Sequence, residues 1–395
     1  MIHVGVDASA WENERGFGRF ARNLIAALAA RDSGFRYTLL FDQAPTRPVP
    51  ENVDVVIAGA DKTMAEAASG KSARGGADLL TMSRAAARLK ADVFFHPAVY
   101  SYFPKLGRTP SVVCYCDTIP ERFPDLVFPS KLNFRLWQLK CWLAKVQATR
   151  VMTISQASAD DLTAILKIAP EKIDLTTLGA DDTFAPIDDA DRLAARRAAY
   201  GIPADVPLLI YVGGFNRHKN VLRLIEAMPK ILEQVPDTHL AIVGRTSGAR
   251  FWDNVDELQN QAASDARASG RIVFTGEIDD SELAELLNAA NALVFPTLWE
   301  GFGLPALEAM SCGTPVIASD RGSLPEVIGE GGLFFDPLDT DALAALTIKF
   351  LTDPALQASE RERALVQATK FSWEKGAALA EASFHNALKR GSTNT

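Results

Sequence analysis

The sequence predicts an α/β protein made of two doubly wound parallel-sheet domains. Short Val/Ile/Leu/Phe-rich runs alternate with helical apolar periodicity along the whole chain, the pattern of βαβ units. At 395 residues the chain is too long for one comfortable core. The alternation breaks once, at 180–206, where Pro186 and Pro203 flank a short helical patch and Pro207 follows. The expected boundaries are 1–182 for a first domain, 183–206 for a linker and 207–372 for a second domain.

In the first domain strands are expected at 2–7, 36–41, 53–57, 92–95, 111–115, 151–154 and 173–177. Helices are expected at 19–30, 79–90, 130–148 and 156–167. The segment 59–76, rich in Gly, Ala and Ser with mixed charges, reads as a mobile loop. In the second domain strands are expected at 208–214, 238–243, 271–274, 292–295, 315–318 and 332–335. Helices fit between them at 220–233, 252–268, 280–289, 304–312 and 340–352. A last amphipathic helix, 373–390, is opened by Ser372 as N-cap.

With 48% hydrophobic residues the chain can bury a substantial core, which excludes global disorder. No apolar run approaches the ~18 residues of a membrane-spanning helix. The opening Met1-Ile-His-Val-Gly-Val-Asp7 reads as a strand, with no targeting signal. Cys114, Cys116, Cys141 and Cys312 lie in apolar surroundings without metal-site spacing, so reduced thiols and a cytoplasmic location are expected. The net charge of −8 is uneven: residues 1–182 carry 22 Lys+Arg against 20 Asp+Glu, the remainder 19 against 29. The acidity argues against nucleic acid as a partner; the more basic first half suits an anionic one.

The most informative run is Trp299-Glu300-Gly301-Phe302-Gly303-Leu304-Pro305-Ala-Leu-Glu308, which follows the expected strand at 292–295. Gly301 and Gly303 allow close backbone approach to a ligand, and Pro305 suits the first turn of the helix that follows. Amides at a helix start attract phosphate, so a carboxylate beside them has hydroxyls to read. Hydroxyls and phosphate together point to a nucleotide-sugar. A second run, Gly213-Gly214-Phe-Asn-Arg217-His218-Lys219-Asn220, ends the first strand of the second domain and opens a helix. Lys219 there adds a full positive charge against a diphosphate. A third run, Gly16-Phe17-Gly18-Arg19, lies between the first strand and the first helix.

Together these runs resemble the retaining GT-B glycosyltransferases of family 4, the glycosyl transferases group 1, and in particular bacterial mannosyltransferases of surface polysaccharide synthesis. The resemblance covers most of the chain. It implies two Rossmann-like domains facing across a cleft that holds the site, with the terminal helix crossing back to the first domain. Strand ends at the topological switch points of open α/β sheets are where ligands bind. In the family the residue matching Glu300 contacts the donor sugar and that matching Glu308 the ribose. Lys219 matches the lysine that stabilises the diphosphate leaving group. Its basic companion is altered: many members carry Arg at the position of His218, others at that of Gly214, and Arg217 is the candidate to compensate. Gly16 and Gly18 match the glycine loop near donor diphosphate and acceptor. Gly244 and Ile278 end two strands where the family holds the base through its backbone.

Cys116-Asp117-Thr-Ile-Pro120 resembles the family's His-Asp-x-x-Pro segment, with Cys116 or its neighbour Tyr115 in the place of the His. Asp117 is the candidate for shaping the site, and Cys116 reads as a buried structural thiol, a catalytic thiol being the alternative. His96, after another strand, is either a cleft residue or a structural one. Ser155 and Ser158 match a Ser-x-x-Ser turn that caps the next helix.

The resemblance implies metal-independent, retaining transfer of a sugar, mannose from GDP-mannose, to a hydroxyl of a growing, lipid-linked surface glycan. The NDP-sugar is a substrate, and no cofactor is implied. Asp189-x-Asp191 and Asp339-x-Asp341 follow no strand, so no metal is expected. The alternatives are a sugar-nucleotide epimerase of the same fold and a non-catalytic NDP-sugar-binding protein. Residues 128–150 carry Lys131, Arg135, Lys140, Lys145 and Arg150 with no acid, interleaved with Phe134, Trp137 and Trp142. That segment reads either as a domain helix or as a peripheral contact with the inner face of an anionic membrane.

Overall fold

The computed structural model describes residues 1–14, 16–62, 75–246 and 254–391. They divide into two compact units, Met1–Leu178 with Ser372–Thr395, and Gly179–Phe371.

The sheet of the first unit contains β1 (Ile2–Asp7), β2 (Phe35–Phe41), β3 (Asp54–Ile57), β4 (Val93–His96), β5 (Ser111–Cys114), β6 (Arg150–Thr153) and β7 (Ile173–Leu175). All pairings are parallel, in the order β3-β2-β1-β4-β5-β6-β7. Strands β4, β5 and β6 are buried at every residue, which is why they read as continuous apolar runs instead of alternating ones. The order reverses between β1 and β4, the topological switch of this sheet. Helices Gly16–Ala29, Gly76–Arg88, Lys131–Gln147 and Gln156–Ala164 stand where the sequence places them. Residues 63–74, most of the expected 59–76 loop, lie outside the described residues.

The terminal helix Trp373–Gly391 belongs to this first unit. Ser372 Oγ accepts from the Lys375 amide at 3.1 Å, the expected cap. Phe384, fully buried, packs on Phe35 and Phe95. The buried carboxylate of Glu381 takes Arg31 Nε at 3.1 Å, the Tyr37 hydroxyl at 3.3 Å and the Ser33 hydroxyl. At Gly376 an added Cβ would stand 2.4 Å from the Thr177 carbonyl oxygen. Only glycine lets the helix come that close.

The second unit repeats the plan with β8 (Leu208–Val212), β9 (His239–Val243), β10 (Ile272–Gly276), β11 (Ala292–Phe295), β12 (Val316–Ser319) and β13 (Gly332–Phe335). These are parallel, ordered β10-β9-β8-β11-β12-β13, with the switch between β8 and β11. Helices Val221–Gln234, Val255–Ser264, Asp280–Ala289, Leu304–Ser311 and Thr340–Thr352 fall where expected. Residues 252 and 253 of the expected 252–268 helix lie outside the described residues. The sequence reading places no helix at Leu324–Ile328 or Pro354–Ala368, and the structure has both. The latter carries a clear start signal, Pro354 in its first turn behind Asp353, whose side chain accepts from the Leu356 amide at 3.0 Å.

Within 183–206 the short helical patch is Ala190–Ala199, capped by Asp189. It packs on Asp280–Ala289 inside the second unit. Arg192 and Arg196 bind Glu285 there at 2.7 and 2.6 Å.

Candidate functional site

The polar loops of the second unit gather at the carboxyl ends of β8 and β11. After β8 the chain turns at Gly213, whose φ of +151° favours glycine and where a Cβ would stand 2.8 Å from the Tyr211 hydroxyl. That hydroxyl donates to the Gly214 carbonyl at 2.7 Å and shapes the turn. A Cβ on Gly244, just past β9, would come within 2.2 Å of the Gly213 carbonyl oxygen, so this glycine keeps two strand-end loops in contact. A short turn, Arg217–Lys219, then leads to Asn220 in the left-handed region at φ +58°, which Asn tolerates better than most residues. Asn220 Nδ2 donates to the carbonyls of Pro296 and Pro337 at 2.9 and 2.8 Å. The start of helix Val221–Gln234 is thereby pinned to the segments following β11 and β13.

The loop after β11 is stitched to the same turn. The Leu298 amide and the Thr297 hydroxyl donate to the His218 carbonyl at 2.8 and 3.2 Å, and Ser319 Oγ donates to the Thr297 carbonyl at 2.6 Å. Glu300 follows. Its carbonyl accepts from Ser323 N and Oγ at 3.2 and 3.0 Å, and Gly322, at φ +62°, leaves no room there for a Cβ, which would stand 2.8 Å from Glu300 O. These contacts aim the Glu300 side chain at Lys219, whose Nζ donates to Oε1 at 2.5 Å.

Gly303, at φ +93°, then begins helix Leu304–Ser311, with Pro305 in the first turn as the sequence implies. Gly301, Phe302 and Gly303 are buried, Leu304 half-buried, and Phe302 meets Phe371 edge-on at 5.6 Å. Glu308, one turn further along, is 2% exposed. The structure therefore brings Lys219, Glu300, Glu308 and a helix N-terminus to one end of one sheet. Chemically that is a cation paired with one carboxylate, at the same end of the sheet as a helix start whose helix carries a second, buried carboxylate.

Two basic candidates do not join this set. Arg217 is drawn to Glu257 at 3.0 Å, in an exposed pair on helix Val255–Ser264. His218 is buried; burial first, and then the Lys219 charge, push its pKa down to about 3. A neutral imidazole cannot serve as the second positive charge beside a diphosphate. Arg245, after β9, is held by Glu277 at 2.8 Å, and Ile278 is half-buried beyond β10. Asn220, Gly322 and Ser323 hold the arrangement without being singled out by sequence. The Asn at a helix start was a readable signal; the Gly322–Ser323 contact, across more than twenty residues, was not.

In the first unit, β1 ends at the buried Asp7, which accepts from Ser9 N and Oγ at 3.0 and 2.5 Å and from Ser101 Oγ at 2.7 Å. His96 Nδ1 lies 3.5 Å from the same carboxylate. The His96 ring is 1% exposed, with Phe94, Tyr102 and Phe103 at 4.9 Å, so of its two readings the structure supports the structural one. Gly18 is required: a Cβ would sit 2.1 Å from the Asn13 carbonyl oxygen. Gly16 is exposed, with open space around it. Cys116 is buried beside Ser158, whose hydroxyl donates to its carbonyl at 3.2 Å. Ser155 caps Gln156–Ala164 as expected. Asp117 is half-buried past β5, accepting from the Ile119 amide at 3.0 Å and the Tyr100 hydroxyl at 3.3 Å.

Both sheets and the strand-end loops define a two-unit α/β protein of the GT-B class. Residues 194–370, most of the second unit, match the family model of glycosyl transferases group 1. The chain is 33% identical over 227 residues to O-antigen chain mannosyltransferase B of Escherichia coli, covering 58% of each chain. It is 30% identical over 281 residues to the serotype-specific mannosyltransferase WbdA of Escherichia coli, covering 70% of this chain and 34% of that one. The match thus spans between about a third and three fifths of these relatives' own length. Among solved structures, sucrose-phosphate synthase from Thermosynechococcus elongatus superposes with a TM-score of 0.77 at 23% identity, over 99% of this chain and 100% of that one. WaaG, a glycosyltransferase involved in lipopolysaccharide biosynthesis, gives 0.70 at 18%, over 97% and 98%. At those identities the structural likeness speaks for the fold.

Proposed function

We propose that the chain is a retaining, metal-independent glycosyltransferase that moves a sugar from an NDP-sugar to a hydroxyl of a growing surface glycan. The observation that carries this reading is the Lys219–Glu300 pair at the switch point of the second sheet, one loop away from Glu308 on its glycine-led helix. In the proposed step the acceptor oxygen bonds to the anomeric carbon on the face that the diphosphate leaves. The bond from that carbon to the diphosphate oxygen breaks, and the acceptor proton passes to a phosphate oxygen of the departing nucleoside diphosphate. Lys219 and the amides at the helix start stabilise the charge that develops there. Glu300 orients sugar hydroxyls and Glu308 holds the ribose. Asp117 and the Gly16–Gly18 loop serve the acceptor side.

Mannose from GDP-mannose is the donor we favour, supported by the mannosyltransferase names of the relatives. A lipid-linked acceptor at the cytoplasmic face of a membrane is supported by helix Lys131–Gln147. It buries Trp137, Cys141 and Ala144, yet leaves Leu132, Leu136, Leu139, Trp142 and Val146 between 52% and 64% exposed beside Lys131 and Arg135. No described helix is long and apolar enough to cross a membrane.

The test is a transfer assay with a panel of NDP-sugars and an oligosaccharide acceptor in EDTA, with the product anomer read by NMR. Transfer from GDP-mannose with the α-configuration retained is the expected result. An inverted product, a strict need for Mg²⁺ or Mn²⁺, or release of free sugar nucleotide epimer each defeats the reading.

A further inference from the structure

A cavity of about 310 Å³ opens at the amino end of the second sheet, below the two strands that flank its switch point. Pro207, just before β8, and Asn291, just before β11, line it. Asn291 Oδ1 accepts from the Leu208 amide at 2.8 Å, and the Asn291 amide donates to the Leu208 carbonyl at 2.7 Å, so this wall is fixed. Lys219 and Glu300 stand at the opposite, carboxyl ends of the same two strands.

Arg197, from helix Ala190–Ala199, and Asp205 bring charge to the cavity. Arg197 is 6% exposed. Its Nη1 donates to the Ala289 carbonyl at 3.4 Å and its Nη2 to the Val206 carbonyl, while Nε is buried and meets no acceptor. A guanidinium has five N–H donors, so these two bonds leave three without an acceptor among the described residues. No carboxylate pairs with it there either. Asp205 acts on it only from a distance, and burial lowers its pKa. The end of helix Asp280–Ala289 favours a cation, but one long contact to one carbonyl does not replace a counter-charge. A buried charge is tolerated where it is paired and hydrogen-bonded, and the cavity is the place from which a partner can reach this one.

We propose that the cavity binds a small carboxylate that also carries a hydroxyl or ammonium group. The ligand's two oxygens take the remaining Nη N–H groups of Arg197, whose planar fork suits a carboxylate. Asp205, which is exposed, repels a second negative charge and accepts from the hydroxyl or ammonium group. The combination selects an α-hydroxy or α-amino acid against phosphate and nucleotides. The volume, at the lower end of small-molecule sites, suits an acid of a few heavy atoms. This site lies apart from the strand ends read as the donor site and does not rest on the transferase reading.

The experiment titrates the full chain with L-lactate, L-serine, acetate and inorganic phosphate, followed by calorimetry and by NMR of the ligand. Wild type should bind L-lactate or L-serine in the millimolar range or tighter, and acetate, which lacks the second group, more weakly. Arg197→Met should weaken that binding about tenfold or more, the loss expected when a charged hydrogen bond is removed. Ala204 is exposed and lines the cavity, so Ala204→Phe places a ring in the cavity without touching the bonds of Arg197. It serves if Arg197→Met does not fold, and it should abolish binding. Excess GDP should leave the affinity unchanged. Failure of wild type to bind either acid, undiminished binding by Ala204→Phe, or competition by GDP overturns the site. Tighter binding of acetate or of phosphate than of both acids overturns the chemistry assigned to Asp205.

Discussion

Lys219 Nζ donates to Glu300 Oε1 at 2.5 Å, joining the polar side chains that β8 and β11 carry to the same end of the second sheet. The two are 21% and 10% exposed, so the pair is shielded from solvent more than an ordinary surface ion pair. On the proposed reading a donor exchanges this contact for two of its own: diphosphate oxygens for the ammonium, sugar hydroxyls for the carboxylate.

Lys219→Ala should therefore lower turnover about 10²–10³-fold, the usual effect of deleting one group that meets charge developing in the transition state. Nucleotide affinity and melting temperature should be followed in parallel, since the variant also leaves Glu300 without this partner. Wild-type turnover in a folded variant would remove Lys219 from the mechanism.

The two glutamates should separate in binding experiments. Glu308→Ala should weaken free nucleotide and NDP-sugar alike. Glu300→Ala should leave nucleotide affinity nearly intact while turnover falls. A hydrogen bond to a charged group is worth roughly 1.5–3 kcal/mol, or about 10- to 150-fold, which calorimetry resolves. Equal losses of nucleotide affinity in both variants would refute the division of roles.

His218 should make stability depend on pH. Its folded pKa, pushed down to about 3 chiefly by burial, lies below the ordinary value of 6.5, so the unfolded chain binds the proton more readily. The stabilisation is whole above about pH 6.5 and is lost as pH falls from there toward about 3. The slope from this one group is at most about 1.4 kcal/mol per pH unit. Denaturation curves between pH 7 and pH 4 should be flatter for His218→Gln than for wild type, and parallel curves would show that the imidazole is not the group responsible.

Gly322→Ala should damage the site without altering any residue proposed to touch substrate. The new Cβ would stand 2.8 Å from the Glu300 carbonyl oxygen, at a φ of +62° that by itself costs a non-glycine residue roughly 1–3 kcal/mol. Both the melting temperature and the donor affinity should fall. A variant that melts and binds donor like wild type would mean that the Gly322 backbone does not position Glu300.

The strands, most of the helices and the motif loops were legible because each depends on local pattern. Buried parallel strands read as apolar runs, and Gly303 and Pro305 announce a helix start within a few residues. The helix at 354–368 carried its own start signal in Asp353 and Pro354, but its apolar pattern is diluted by Glu360, Arg361, Glu362 and Arg363.

By itself the sequence determined the alternation that builds two parallel sheets and the glycine-led loops at their strand ends, and it singled out Lys219, Glu300 and Glu308 as candidates. Tertiary structure decided which of the neighbouring charges remain at the site. Arg217, His218 and Lys219 are adjacent in a basic turn and look equivalent as letters. Folding pairs the first with Glu257 on a helix nearly forty residues away, buries the second until it is neutral, and sets the third against Glu300. The physical reason is that burial and pairing depend on neighbours supplied by distant segments. A charge read from sequence is a possibility, and its desolvation and partner are properties of the fold.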